Sequence, residues 1–231
     1  MSVMTRPKPT APIVTEGETR IAVRGVPWSV YELWVDSLPE RSGIRMAYDG
    51  EDLEIMTKGP KHADFRELLG RIVTEVAVEL NIPQKCLGET TWRRPELSRG
   101  VEADQCYYFQ PEKLAAAARR AKARGSNDVA DYPNPDLAIE VDISPSLVDR
   151  PGIYAFLGVA EVWRFDGQTL TIERLDPGGR YLPIETSTWL PIKDSEVVRW
   201  LTQEDTTDES AWARRLRNWV RAELIARRAS C

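Results

Sequence analysis

The sequence predicts an α/β (α+β) fold: a mixed central sheet flanked by helices, with a C-terminal helical tail. Three observations predict it. Residues 135–144, Pro-Asp-Leu-Ala-Ile-Glu-Val-Asp-Ile-Ser, alternate strictly between apolar and other side chains, the period of a strand. Residues 61–80 place Phe65, Leu69, Ile72, Val76 and Leu80 on one stripe at helical spacing. Asp49-Gly50 and Asp166-Gly167 stand between short apolar segments, a hairpin signal. Strands and helices interleave in this way along most of the chain, which suits a layered core.

Taken in order, residues 1–20 mix Pro, Thr and charge without periodicity and read as a flexible leader. The main domain is expected over residues 21–202. Ser29 is placed to cap a short helix carrying Val30, Leu33 and Trp34. A hairpin over 45–56 follows, then the helix of 61–80, which Pro83 ends. Strands are expected around Cys86–Arg93 and Val101–Phe109. Pro111 opens a helix over Glu112–Arg124, and Gly125 stops it. A strand over 136–143 leads to a short helix near Arg150–Leu157. A hairpin over 161–175 and a strand near Tyr181–Glu185 complete the domain. Residues 203–231 form a tail whose helix carries Trp212, Leu216, Trp219 and Val220 on one face and Arg214, Arg215, Arg217 and Arg221 on the other. That helix can pack on its own domain, make a homodimer contact or clamp nucleic acid.

Composition narrows the function. The 231 residues include 42% hydrophobic and 29% charged side chains, an ordinary water-soluble mixture. No apolar run is long enough to span a bilayer and no signal peptide opens the chain, so a cytoplasmic location without membrane contact is expected. Cys86, Cys106 and Cys231 are too few and too scattered for a disulfide framework or a zinc site. His62 is the only histidine, which excludes multi-histidine metal sites. A net charge of −5 gives no global attraction to nucleic acid, so any such binding needs a local patch. The basic candidates for phosphate contact are Arg93, Arg94, Arg119, Arg120, Lys122 and Arg124, all equally readable as solvated charges.

The chemistry concentrates in residues 135–144. Leu137, Ile139, Val141 and Ile143 share one apolar face; Asp136, Ala138, Glu140 and Asp142 share the other. Three carboxylates on one face of such a strand are costly if buried and unpaired. Either that face is wet or a cation compensates it, and a hard divalent ion suits oxygen ligands. Glu102 and Asp104 share a face in the same way. Neighbouring strands lie about 4.8 Å apart, so Asp104 can meet Glu140 if the two segments pair.

Several segments occur in order: Tyr48-Asp-Gly-Glu-Asp-Leu-Glu-Ile-Met56, His62 at a helix start, Gly88-Glu-Thr-Thr-Trp-Arg93, Gly100-Val-Glu-Ala-Asp-Gln-Cys-Tyr-Tyr108, Pro135-Asp-Leu-Ala-Ile-Glu-Val-Asp142 and Ile153-Tyr-Ala-Phe-Leu-Gly-Val-Ala-Glu-Val-Trp163. In this, residues 45–190 resemble the Uma-type restriction endonuclease family of the PD-(D/E)XK nuclease superfamily. The resemblance implies a restriction-endonuclease-like fold, with Asp104 as motif aspartate and Glu140 as second acid. It further implies Mg²⁺ or Mn²⁺ held by Asp104, Glu140 and Asp142, and nucleic acid, DNA first, as substrate. The superfamily's lysine two residues after the second acid is Asp142 here. The alternative lysine position of Uma-type members, four residues before a tyrosine, is Arg150. Arginine can stabilise phosphate charge but cannot act as a base. Arg150 is therefore the third catalytic candidate, and Arg150→Ala is expected to spare the fold. His62 reads as a proton shuttle or a structural helix-start residue. Three functions follow: a metal-dependent DNA endonuclease, a weak or inactive nuclease fold that binds nucleic acid, and a homo-oligomeric interaction module.

Overall fold

The computed structural model describes residues 8–38, 43–122 and 129–229. The strands are β1 (Lys8–Pro9), β2 (Ile13–Thr15), β3 (Glu18–Arg24), β4 (Ile44–Tyr48), β5 (Leu53–Thr57), β6 (Lys85–Cys86), β7 (Thr91–Arg94), β8 (Arg99–Glu102), β9 (Gln105–Tyr108), β10 (Leu137–Val141), β11 (Glu161–Phe165), β12 (Leu170–Leu175) and β13 (Tyr181–Ile184). The helices are α1 (Trp28–Ser37), α2 (Pro60–Glu79), α3 (Pro111–Lys122), α4 (Arg150–Phe156), α5 (Asp194–Thr202), α6 (Glu209–Trp219) and α7 (Ile225–Ala229), the last two joined by a π-helical turn over Val220–Leu224.

The alternating segment forms β10 at the heart of a mixed six-stranded sheet, in the order β13-β12-β11-β10-β9-β6. β10 runs parallel to β11, with α4 between them in the chain, and antiparallel to β9. Leu137, Ile139 and Val141 pack with Leu69, Ile72 and Val76 of α2 in one core, and Phe65 packs against its edge. The expected strand face and helical stripe thus meet. Ala138, on the other face, joins Cys106, Tyr108, Val162 and, from α4, Ile153 and Tyr154.

A second, antiparallel sheet runs β1-β3-β5-β4-β8-β7, with β2 also pairing β3. Its centre is the expected hairpin β4–β5, turned over Asp49–Asp52 with Gly50 at φ +102°. The single strand expected over 101–109 is instead two: β8 pairs with β4 and β7 in this sheet, β9 with β10 and β6 in the other. The chain changes sheet at Ala103-Asp104. The strand expected around 86–93 is likewise broken into β6 and β7, with Gly88 at φ +62° between them.

Residues 8–20 differ from the expected loose leader. They pair as β1, β2 and the start of β3, and residues 1–7 lie outside the described residues. The charges at Glu18 and Arg20 disguised an alternation: Glu18, Arg20 and Ala22 are the buried face of β3. In α1 the buried residue is Tyr31, while Leu33 and Trp34 are exposed, and Pro27 rather than Ser29 stands at the N-cap. Helix α5 has no counterpart among the expected elements; it buries Val197, Trp200 and Leu201. The tail helix packs on its own domain. Trp212, Leu216 and Val220 enter the α2 core, and Arg217 and Arg221 pair with Glu75 and Glu79 of α2.

Candidate active site

Glu140 lies in β10, and Asp104 stands immediately before β9. The register aligns Ile139 with Gln105, so one residue further Asp104 faces Glu140 across the strands. Both are 1% exposed. Asp104 continues the ladder with its side chain: its Oδ2 accepts the Val141 amide at 2.8 Å. The third candidate, Arg150, is also 1% exposed. Asp149 caps α4, accepting from the Gly152 amide at 2.9 Å. Arg150 Nη1 donates to Glu140 Oε2 at 2.6 Å, and its Nε lies 3.3 Å from Glu54. Its Nη2 is buried without a hydrogen-bond partner among the described residues. One helical turn on, Tyr154 donates its hydroxyl to Glu140 Oε1. Arg150 and Tyr154 therefore grip the two oxygens of one carboxylate.

Asp142, the third proposed metal ligand, is only partly buried. Its Oδ1 accepts from Arg20 at 2.9 Å and stands 3.8 Å from Arg150. Arg20 belongs to β3 of the other sheet and also donates to Glu54 and Ser144, at 3.0 and 2.8 Å. Ser144 in turn donates to Glu18. A continuous polar seam thus joins the two sheets beneath the acid pair.

Sequence reasoning did not assign Lys58, in the turn between β5 and α2. Its ammonium pairs with Asp104 Oδ1 and lies 3.5 Å from Glu89. The turn residue carried no periodic signal, and only the fold brings it to Asp104. His62 is fully buried in the first turn of α2, with Nδ1 2.5 Å from Glu18 and Nε2 3.0 Å from Asp104. Both residues bear on the protonation of the site. Burial alone would raise the Asp104 carboxyl, but the His62 hydrogen bond and the Lys58 charge hold it well below the usual carboxylate range. Burial alone would lower His62; its bonds to Asp104 and Glu18 win and raise it. Burial pushes Glu140 up to about 8, against the pull of Arg150 and with the help of Asp104 and Asp142.

Asp104, Glu140 and Asp142 do not fit a divalent ion as they are arranged. Such an ion needs several oxygens aimed at one point. Here both Glu140 oxygens are held by Arg150 and Tyr154. Asp104 is held by Val141, His62 and Lys58, and Asp142 by Arg20. Among the described residues no group of three or more acidic, histidine or cysteine side chains is arranged to hold a metal.

The phosphate-contact candidates scatter. Arg94 is buried and donates to the Arg93, Val129 and Tyr132 carbonyls, a structural role. Arg93 pairs with Asp36 at 2.6 Å. Arg119 and Arg120 are exposed on α3, Lys122 ends that helix, and Arg124 lies outside the described residues.

The sequence profile of the Uma2 family, described as "Putative restriction endonuclease", matches residues 31–204. The chain belongs to the Uma2 family. The Uma2 match spans the acid pair, Lys58, His62 and Arg150, but not β3, which supplies Glu18 and Arg20. Among solved structures, the chain is similar to "a putative nuclease belonging to DUF820" from Anabaena variabilis ATCC 29413. The identity is 14% and the TM-score 0.50, over 76% of this chain and 99% of that one. At that identity the likeness shows a shared fold. No curated protein matches the chain. The fold of this chain is therefore the expected mixed α/β arrangement with flanking helices and a C-terminal helix, the last beyond the matched residues. Among the described residues no helix is long and apolar enough to cross a membrane.

Proposed function

We propose that this Uma2 protein is a nuclease that hydrolyses DNA phosphodiesters at the Asp104–Glu140 pair. One observation carries the reading: Asp104 stands where β9 ends, opposite Glu140 of β10, and the Arg150 guanidinium lies against Glu140. Family membership supports it. The Arg150 Nη2 is buried and unpaired among the described residues, so it would serve a developing phosphate charge only once the site opens; fixed donors aimed at such charge are a main source of acceleration in phosphoryl chemistry. A Glu140 carboxyl held near 8 can exchange a proton close to neutral pH. His62, fixed between Glu18 and Asp104, is a positioning residue for Asp104.

Mg²⁺ or Mn²⁺ is the cofactor this chemistry would draw on. Lys58 and Arg150 would first have to release the acid oxygens, so no step is assigned to a metal. A second reading is favoured by that same closure: a nuclease-fold protein that binds nucleic acid without cutting it. Supercoiled plasmid and single-stranded DNA incubated with Mg²⁺, Mn²⁺ or EDTA separate the two. Cleavage lost in Glu140→Ala supports the nuclease. DNA binding by a chain that stays at the EDTA background under every metal supports the second reading and ends the first.

A further inference from the structure

The acid pair has a cation already. Lys58 reaches it from the short turn Thr57-Lys58-Gly59, and its Nζ is buried. The turn is held in place by its backbone. A Cβ added at Gly59 would stand 2.9 Å from the Glu16 carbonyl oxygen and 3.1 Å from the Gly17 carbonyl carbon, so the β2–β3 turn packs directly on it. Lys61, two residues beyond Gly59, is tied to the same turn through Glu16. The lysine stem is thereby fixed toward Asp104, with Glu89 at 3.5 Å and Glu140 within electrostatic reach.

We propose that the Lys58 ammonium holds the cation position of the Asp104–Glu140 pair, the place a divalent ion would otherwise take. The inference rests on the reading of these two residues as the active-site acids. Carboxylates buried side by side require a positive neighbour. Lys58 supplies it at Asp104 from the chain itself, and Arg150 supplies a second charge at Glu140. A divalent ion entering between the acids would lie against the ammonium and lose the Asp104 oxygen that Lys58 now engages. Lys58 therefore acts as a resident competitor for metal, and its displacement is one condition for metal entry beside release of Glu140 by Arg150.

Calorimetric titration with Mn²⁺ tests this on the full chain, with Lys58→Met, Lys58→Gln and the double variant Lys58→Met/Glu140→Ala beside wild type. Circular dichroism checks that each is folded, and two substitutions at Lys58 guard against one that is not. We expect wild type to bind Mn²⁺ at least about tenfold more weakly than either Lys58 variant, as removing a like charge from a cation site requires. The gain should vanish in the double variant. Wild-type binding as tight as that of the Lys58 variants, and lost in Glu140→Ala, overturns the proposal. So does a failure of folded Lys58 variants to bind Mn²⁺ at all. Plasmid cleavage is scored separately, so a chain that never cuts DNA would defeat the nuclease reading and leave this binding result standing.

Discussion

Arg150 Nη1 lies 2.6 Å from Glu140 inside a region that excludes water, and the same guanidinium faces Glu54 and Asp142, so removing it leaves a buried acidic cluster one cation short. Arg150→Ala should therefore cost about 3–5 kcal/mol of stability, as for other broken buried pairs. This departs from the sequence-level expectation that the substitution would spare the fold. Arg150→Lys keeps a charge and should lose less; equal denaturation midpoints for wild type and the alanine variant would rule out the buried pair. Protonation gives a second test. The folded Glu140 holds its proton to about pH 8, whereas an ordinary carboxyl releases it near 4.5. The folded state binds the extra proton across that window, so stability falls as pH climbs through it. His62 acts in the same direction: its raised pKa contributes stability below the ordinary 6.5, lost as pH rises through the folded value. The melting temperature should thus be higher at pH 6 than at pH 8.5, with a shallower slope in Glu140→Gln. A melting temperature that rises over this interval would contradict the assignment.

At the scale of elements, α2 is gripped from two sides by different forces. Leu69 is fully buried against β10, and Leu69→Ala should cost about 2–5 kcal/mol in urea denaturation. Arg217 of α6 and Arg221 of the π-helical turn pair with Glu75 and Glu79 on the solvent side. Alanine at either should barely move the midpoint, because exposed pairs are screened and entropically costly. A Leu69→Ala midpoint as unchanged as theirs would remove α2 from the core. These elements were legible because their signals are local. The stripe of α2, the alternation of β10 and the hairpin β4–β5 each depend on neighbours along the chain. β3 was not legible, because its buried face is Glu18, Arg20 and Ala22, and a rule that reads burial from apolarity takes such residues for solvent. Asp104 and Glu140 could be brought together from shared-face alternation and the family pattern, on the condition that their two segments pair. Lys58 could not, since a turn has no period and its reach depends on how two sheets meet.

At the scale of the whole molecule, the two sheets share one chain segment and one polar seam. The segment is Arg99–Tyr108, which leaves one sheet as β8 and enters the other as β9. The seam runs from Glu18 and Arg20 in one sheet to Asp142 and Ser144 beside the other. Deleting residues 1–20 would leave Glu54, Asp142 and His62 short of their buried partners. A chain starting at Ile21 should accordingly lose cooperative unfolding or fail to remain in solution. A truncated protein that melts like the full chain would show that the seam contributes nothing to holding the sheets together.

The amide of Val141 has an unusual acceptor for a strand residue: the side chain of Asp104, where the β9 ladder has ended. Its proton can reach solvent only when that carboxylate turns away. Hydrogen–deuterium exchange at this single amide would therefore time the opening of the acid pair. It should quicken with any ligand that draws Asp104 off Val141, while the amide of Ile139, inside the paired register, stays slow. Two neighbouring amides on one strand would then report separately on the opening of the site and the unfolding of the sheet.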